Sequence, residues 1–337
     1  MDNTGTGFLL LVMAGTLNAS FALPMKFTRR WAWENTWAVW SALALLLMPL
    51  IAAVITVPQL SHVYAQAGTR SVALVAACGL GWGIAQVLFG LAVDSIGIAL
   101  AFAIVLGLSA AIGGLIPFLR LHSDKVLTPA GLGLIGSVLL VIFGASICAR
   151  AGMLREQMTE QGQMNRSPAR GILMAIMSGI GAAAMNFGVA FGGPVVDSAA
   201  AHGANPAWSM NAVWLPLMAT GAVPNLFYCG YLMRSKRTSG NFSMNGTGHY
   251  WLFASLMATF WFASTLMYGI ASSKLGALGP VYGWPFFMSL IVIVSSVIGI
   301  LAGEWKHATK SAVGLQFAGV AVLITAVILL SYTGRHL

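Results

Sequence analysis

The chain is short of charge. Of its 337 residues only 7% are Asp, Glu, Lys or Arg, where an ordinary soluble domain carries about 25%. So little charge places the chain in a bilayer. The formal net charge of +9 does not reverse this, because the basic residues sit in short gaps and form no basic domain of the kind that grips nucleic acid. Nucleotide and metal motifs are missing as well: there is no glycine loop ending in Lys-Ser or Lys-Thr, no HExxH and no Cys/His cluster with metal spacing. No ATP-driven step, no enzymatic activity and no cofactor is therefore expected. Cysteine is scarce too, and Cys78, Cys148 and Cys229 fall inside apolar runs, where reduced, packed thiols are expected.

What fills the chain instead is uninterrupted apolar sequence. Cutting at every charged residue leaves ten long runs, 3–25, 35–69, 71–93, 95–119, 126–149, 171–196, 198–233, 238–273, 275–303 and 311–334. About 20 apolar residues cross a bilayer as a helix, so each run holds one span. Helices are required because lipid offers backbone groups no partner. A membrane barrel would need short alternating segments, which these are not. The first run lacks a basic leader and is expected to be retained as span 1 rather than removed as a signal peptide.

The scarce charge reads as topology. Gaps 1-2, 3-4, 5-6, 7-8 and 9-10 hold 3, 0, 4, 3 and 2 of the 17 Lys and Arg residues, twelve in all, led by Lys26, Arg29 and Arg30, by Arg150, Arg155, Arg166 and Arg170, and by Arg234, Lys236 and Arg237. Basic residues stay cytoplasmic, which puts both termini on the outer side of a bacterial inner membrane.

The polar segment AGMLREQMTEQGQMNRSPARG, Ala151 to Gly171, divides the chain into halves of five spans: 1–150, a cytoplasmic linker 151–170, and 171–337. The halves resemble each other. FGLAVDSIG, from Phe89, returns 179 positions later as YGIASSKLG, from Tyr268, with Trp82 falling on Trp261 and Gly97 on Gly276. MAG at Met13 resembles MSG at Met177, and GLGLIGSVLLV at Gly131 resembles GLQFAGVAVLI at Gly314. With an odd number of spans per half, the second half enters from the opposite side. The expected fold is all-α, ten transmembrane helices in two inverted five-helix repeats, an architecture of secondary transporters. Small-residue motifs such as GLGWG (Gly79 to Gly83), GVAFG (Gly188 to Gly192) and GILAG (Gly299 to Gly303) suit close helix packing.

Polar groups inside spans are costly and so point to function. The carboxylates Asp2, Glu34, Asp94, Asp124, Glu156, Glu160, Asp197 and Glu304 all lie at span ends or in gaps. Asn18, Gln86, Asn186, Tyr268 and Tyr282 lie within spans, with Trp261 and Trp284 near them. Amides bond hydroxyls and indoles cover the apolar faces of sugar rings, so these seven form the candidate substrate site for a small neutral sugar. The alternative for each amide is a tie between two helices. GPVYGWPFF, Gly279 to Phe287, puts two prolines and two glycines at the start of span 9, where an interrupted helix is expected to offer Tyr282 and Trp284 to substrate. At the repeat offset these residues face Ala101 to Leu106 in the first half. Glu34 is the proton-coupling candidate, with a helix N-terminus or a pair with Lys26, Arg29 or Arg30 as its structural alternatives.

The stretch FALPMKFTRRWAWENTW, Phe21 to Trp37, with GWGIAQVLFGL from Gly81, ICARAGMLRE from Ile147 and GEWKHA from Gly303, resembles the L-rhamnose/proton symporter family of the drug/metabolite transporter superfamily. The resemblance runs in order over most of the chain. It implies ten helices in two inverted halves and uptake of a 6-deoxyhexose with a proton by alternating access. A metabolite or drug exporter of the same superfamily, or a membrane sensor without transport, is the alternative reading. The sequence leaves the oligomeric state open, a monomer being one plausible state.

Overall fold

The computed structural model describes residues 3–159 and 168–336. Arg166, Glu160 and Asp2 lie outside them, as does the middle of the expected linker. Among the described residues ten helices are long and apolar enough to cross a membrane: Thr4–Phe27, Trp33–Thr56, Thr69–Ile96, Ile98–Leu121, Pro129–Arg155, Ala169–Ala201, Asn211–Ser235, Gly248–Lys274, Gly279–Leu301 and Lys310–Arg335, numbered spans 1 to 10. No strand occurs among those residues. The fifth helix runs on to Thr159, so the first part of the expected linker is helical.

The expected run 35–69 is divided. Span 2 ends at Thr56, Gln59 turns the chain with a φ of 51°, and a separate short helix covers Leu60–Ala67. Ser198 Oγ donates to the Val63 carbonyl at 2.8 Å and Tyr64 Oη donates to that of Ala212 at 3.0 Å, which pins this helix to span 6 and to span 7. Within span 2 the winding loosens to a π-helix over Ala42–Leu47, just before Pro49, whose nitrogen has no hydrogen to give.

The helix break expected at the start of span 9 is not there. Gly279–Leu301 is one continuous helix. Pro280 lies in its first turn, where the missing N–H had no partner in any case, and the Pro285 ring fits against Gly114 of span 4. Span 6 is the broken one. It runs as Pro168–Ala182, Ala184–Phe191 and Gly193–Ala201, with non-helical residues at Ala183 and Gly192. Gly192-Gly193-Pro194 falls at the second of these interruptions, a break that was not expected from the sequence.

Span 1 packs on spans 8 and 9, span 6 on spans 3 and 4, and span 5 on span 10. The GLGWG motif sits where the backbones of spans 3 and 7 meet. A β-carbon on Gly79 would overlap the Leu217 carbonyl of span 7, and one on Gly83 would overlap that of Gly221. Gly97 and Gly276, equated by the sequence repeat, both adopt the left-handed conformation, with φ of 84° and 78°. The following connections differ in length, because span 4 starts at Ile98 directly after Gly97 while span 9 waits until Gly279. The offset of 179 therefore does not carry past the turn.

Gly79→Val should destabilise the bundle, since the span 3 and span 7 backbones must separate; overpacking of this kind costs about 1–3 kcal/mol. Thermal unfolding in detergent would show a lower Tm than wild type, whereas Gly81→Ala, whose β-carbon would meet the Ala184 β-carbon at an ordinary contact distance of 3.8 Å, should be close to neutral.

Candidate functional site

A central cavity of about 230 Å3 opens between spans 1, 2, 3, 4, 6, 8 and 9. Five of the seven residues expected at the substrate site line it: Asn18, Gln86, Trp261, Tyr268 and Trp284. They converge because each faces inward from a different span or, in the case of Trp261 and Tyr268, from one face of span 8 two turns apart. Among the described residues no charged side chain contributes to the wall.

The amides are differently employed. Asn18 donates Nδ2 to Ser264 Oγ at 3.3 Å, which fixes the ring of spans 1 and 8 around the cavity. Gln86 is half-buried on the wall and makes no side-chain hydrogen bond to any described residue. It is the one amide of the set whose whole donor and acceptor capacity faces the cavity. Asn186 is fully buried and is not on the wall. Its Nδ2 donates to the carbonyls of Gly113 and Pro280, both at 2.8 Å, and its Oδ1 accepts from Tyr268 Oη at 2.5 Å. This is the helix tie that the sequence left as an alternative. Tyr282 is also off the wall: its hydroxyl donates to the Leu275 carbonyl at 2.9 Å and its ring packs on Phe8, 6.0 Å between centroids.

Indoles make up the firmest part of the cavity. Trp82 and Trp261 stack with centroids 5.6 Å apart and planes 29° from parallel. Trp40 meets the edge of Trp261 at 5.3 Å, and Trp37 lies 4.4 Å from Trp40. Trp37 is held by a bond from its Nε1 to Asn225 Oδ1, 3.1 Å, and Trp284 Nε1 donates to the Ser109 carbonyl at 3.0 Å. Rings fixed in this way present rigid apolar faces at little entropic cost. Sequence reasoning missed Trp37, Ser109, Thr265, Phe287 and Met288 on this wall. Thr265 and Met288 each follow a predicted tryptophan by four residues, so helical spacing could have found them.

Glu34 lies elsewhere. It is fully buried at the start of span 2, accepts from Thr238 Oγ1 at 2.8 Å, and pairs with Lys236 Nζ at 3.3 Å. Neither Lys26, Arg29 nor Arg30 is its partner: Lys26 pairs with Glu304 at 2.9 Å and Arg30 donates to the Asn245 carbonyl at 2.8 Å. Glu304 also receives Arg155 at 3.1 Å, and that guanidinium lies 5.1 Å above the Trp305 ring. Burial works to raise the Glu304 carboxyl, but the hydrogen bonds and charges of Lys26 and then Arg155 outweigh it and hold the group below its ordinary 4.5.

Residues 1–333 match the family model for the L-rhamnose-proton symport protein. The chain belongs to the L-rhamnose-proton symport family. Relatives named L-rhamnose-proton symporter, from Yersinia pestis (strain Pestoides F) and from Yersinia pseudotuberculosis serotype O:1b, are each 26% identical over 329 residues, covering 95% of both chains. As a member of a family of symporters with ten apolar spans, the chain is a multi-pass membrane transporter, not an enzyme. The stretch that carried the family resemblance now has a structural meaning: within Phe21 to Trp37 lie a cavity tryptophan, Trp37, the Lys26 ion pair and the buried Glu34.

Two outcomes follow from these environments. Asn186→Ala leaves two carbonyls and a tyrosine hydroxyl buried without their partner, at about 1–3 kcal/mol for each group left unsatisfied, and should lower Tm, whereas Gln86→Ala should leave Tm unchanged. A depressed carboxyl stabilises the fold above its unfolded value and ceases to do so as pH falls through the folded value. Melts of wild type and Glu304→Gln should therefore differ at pH 6 and converge as the pH falls below about 4.

Proposed function

We propose that the protein is a secondary active transporter that takes up a neutral monosaccharide, L-rhamnose or a related sugar, together with a proton by alternating access. The observation that carries the sugar assignment is the central cavity itself, with fixed indole faces, one uncommitted amide and no charge. An indole covers the C–H face of a pyranose, an amide gives and accepts at its hydroxyls, and Met185, Phe287 and Met288 offer an apolar wall to a deoxy methyl group. A cationic drug would find no counter-charge on this wall. The family relation supports the same substrate class, since the relatives are named for L-rhamnose and the proton.

The inverted repeat is part of this proposal. What supports it is the pairing of contacts: span 1 packs on 8 and 9 as span 6 packs on 3 and 4, and spans 4 and 9 pack on each other, as do spans 5 and 10. Trp82 and Trp261, equivalent in the sequence repeat, stack face to face beside the cavity, as residues near a two-fold axis would. In this reading the halves 1–150 and 171–337 rock about the cavity, the gaps rich in Lys and Arg face the cytoplasm, and both termini face outward across the bacterial inner membrane. Asn18, Gln86, Trp261, Tyr268 and Trp284 contact the sugar. Asn186 and Tyr282 act behind them, as supports. Glu34 is the proton-coupling candidate, its charge balanced by Lys236 in the state described.

Proteoliposomes decide this. With an inward proton gradient the wild type should accumulate L-rhamnose, and added sugar should move protons inward. Gln86→Ala should lose at least tenfold in sugar affinity, the scale of about 1.4 kcal/mol. Glu34→Gln should keep sugar counterflow but lose gradient-driven accumulation. Absence of sugar-dependent proton movement with any of rhamnose, fucose, glucose or xylose would reject symport.

A further inference from the structure

Among the described residues three buried side-chain atoms have no hydrogen-bond partner: Trp40 Nε1, Ser41 Oγ and Trp214 Nε1. Trp214 stands alone in span 7, with its Nε1 over Gly269 of span 8. The other two are neighbours in span 2, and neither residue has any exposed surface. A donor stranded in a dry interior costs more than the bond it would make is worth, so two in succession call for a cause.

Pairing is otherwise complete along this stretch. Glu34 is bonded to Thr238 and Lys236, Asn35 to the Thr238 carbonyl at 3.0 Å and to Asn241 at 3.1 Å, Thr36 to Thr28 at 3.1 Å, and Trp37 to Asn225. It stops at the two residues that precede the π-helix Ala42–Leu47. Phenylalanine at 40 and alanine at 41 would fill much of the same space and strand nothing. The surroundings indicate where partners come from. The Trp40 ring lies against Trp37 at 4.4 Å, Trp261 at 5.3 Å and Phe21 at 5.8 Å, and all three line the central cavity. Trp40 is thus one ring behind the wall. A π-turn holds one residue more than the α-turn it replaces, so exchanging one for the other turns the preceding helix by about 100°, one residue's share of an α-turn. The π-helix packs on spans 7 and 8, which belong to the other half of the chain, so movement of one half against the other acts on it directly.

We infer that span 2 rewinds during transport and brings the Trp40 indole N–H and the Ser41 hydroxyl to the central cavity, where both donate to hydroxyls of the sugar. The inference rests on the proposed sugar transport and adds to it two substrate contacts that the described state holds in reserve. The ligand class is the same neutral monosaccharide.

Counterflow of L-rhamnose by the full chain in proteoliposomes tests it, with Tm measured on the same preparations. Ser41→Ala removes only a hydroxyl; it should melt no lower than wild type, since a stranded group is gone, and yet exchange sugar about fivefold more slowly, the scale of one hydrogen bond. Trp40→Phe keeps a ring and loses the N–H, and its counterflow per folded transporter should fall by about the same factor. Ser41→Cys, followed by peptide mass spectrometry to separate it from Cys78, Cys148 and Cys229, should react with methyl methanethiosulfonate without sugar and about fivefold more slowly at saturating L-rhamnose. Wild-type counterflow in either Ser41→Ala or Trp40→Phe, a Ser41→Ala loss that only follows a lower Tm, or a thiol at 41 that stays unreactive in transporting Ser41→Cys overturns the rewinding contact. Failure of folded wild type to bind any of rhamnose, fucose, glucose or xylose overturns the transport reading itself.

Discussion

The amide of Asn186 sits where span 6 departs from regular helix, and its three bonds reach span 4 at Gly113, span 8 at Tyr268 and span 9 at Pro280. Because a hydrogen bond in a dry interior is costly to leave unmade, these three partners are held together at one end of the central cavity. The tie also explains why Gly113 has no side chain: the Trp284 ring lies against it, and a β-carbon would collide with the indole. The cavity wall then follows. Tyr268, fixed by its hydroxyl, meets the edge of Trp284 at 5.4 Å and packs on Phe287 at 5.2 Å, so one amide sets the positions of three aromatic rings that line the central cavity. If alternating access operates, this end of the cavity opens only when those bonds are exchanged for others, which makes Asn186 a brake on the transition as well as a support.

How much of this could be read from the sequence depends on which physical rule governed each element. Charge-free runs marked all ten spans, because the bilayer penalises charge and fixes length with little regard to side-chain detail. Five of the seven residues expected at the site meet at one cavity, since polar groups are too costly in lipid to face it. Local breaks were harder. Pro280 and Pro285 look disruptive in sequence, yet one occupies a helix start and the other fits against a glycine of a neighbouring span. Whether a proline breaks a helix depends on what packs on it, and that is not local information. The distinction between Asn186, which ties helices, and Gln86, which faces the cavity, depends likewise on partners up to 94 residues away.

The ion pairs obey a separate logic. Lys26, Arg155 and Glu304 draw the ends of spans 1 and 5 to the turn after span 9, while Lys236 and Glu34 join the ends of spans 2 and 7. All lie at the face to which the basic gaps belong; water limits the strength of the pairs of Glu304 and lets them exchange, whereas Glu34 is buried beneath its partners. Pairs of this kind contribute little to stability when exposed. Their value is conditional on geometry, so they differ between two arrangements of the same helices more readily than the packed glycine contacts of spans 3 and 7 do.

That difference bears on coupling. No described carboxylate lines the central cavity, so a sugar bound there as proposed would not touch a proton held on a carboxylate. Coupling without contact has to act through the equilibrium between states: a proton assists uptake only if its site has a different affinity in each state, and sugar biases the same equilibrium by its own differential affinity. A buried carboxylate gripped by a cation in one state and released from it in the other meets that requirement, because loss of the cation raises its proton affinity. Glu34, enclosed with Lys236 and Thr238 across the junction of spans 2 and 7, is built to change in that way if those spans part, whereas the more exposed Glu304 keeps water as a substitute partner. In the proposed cycle, the separation of Glu34 from the central cavity is therefore no obstacle to symport. It moves the burden of coupling from the cavity to the helix junctions around it.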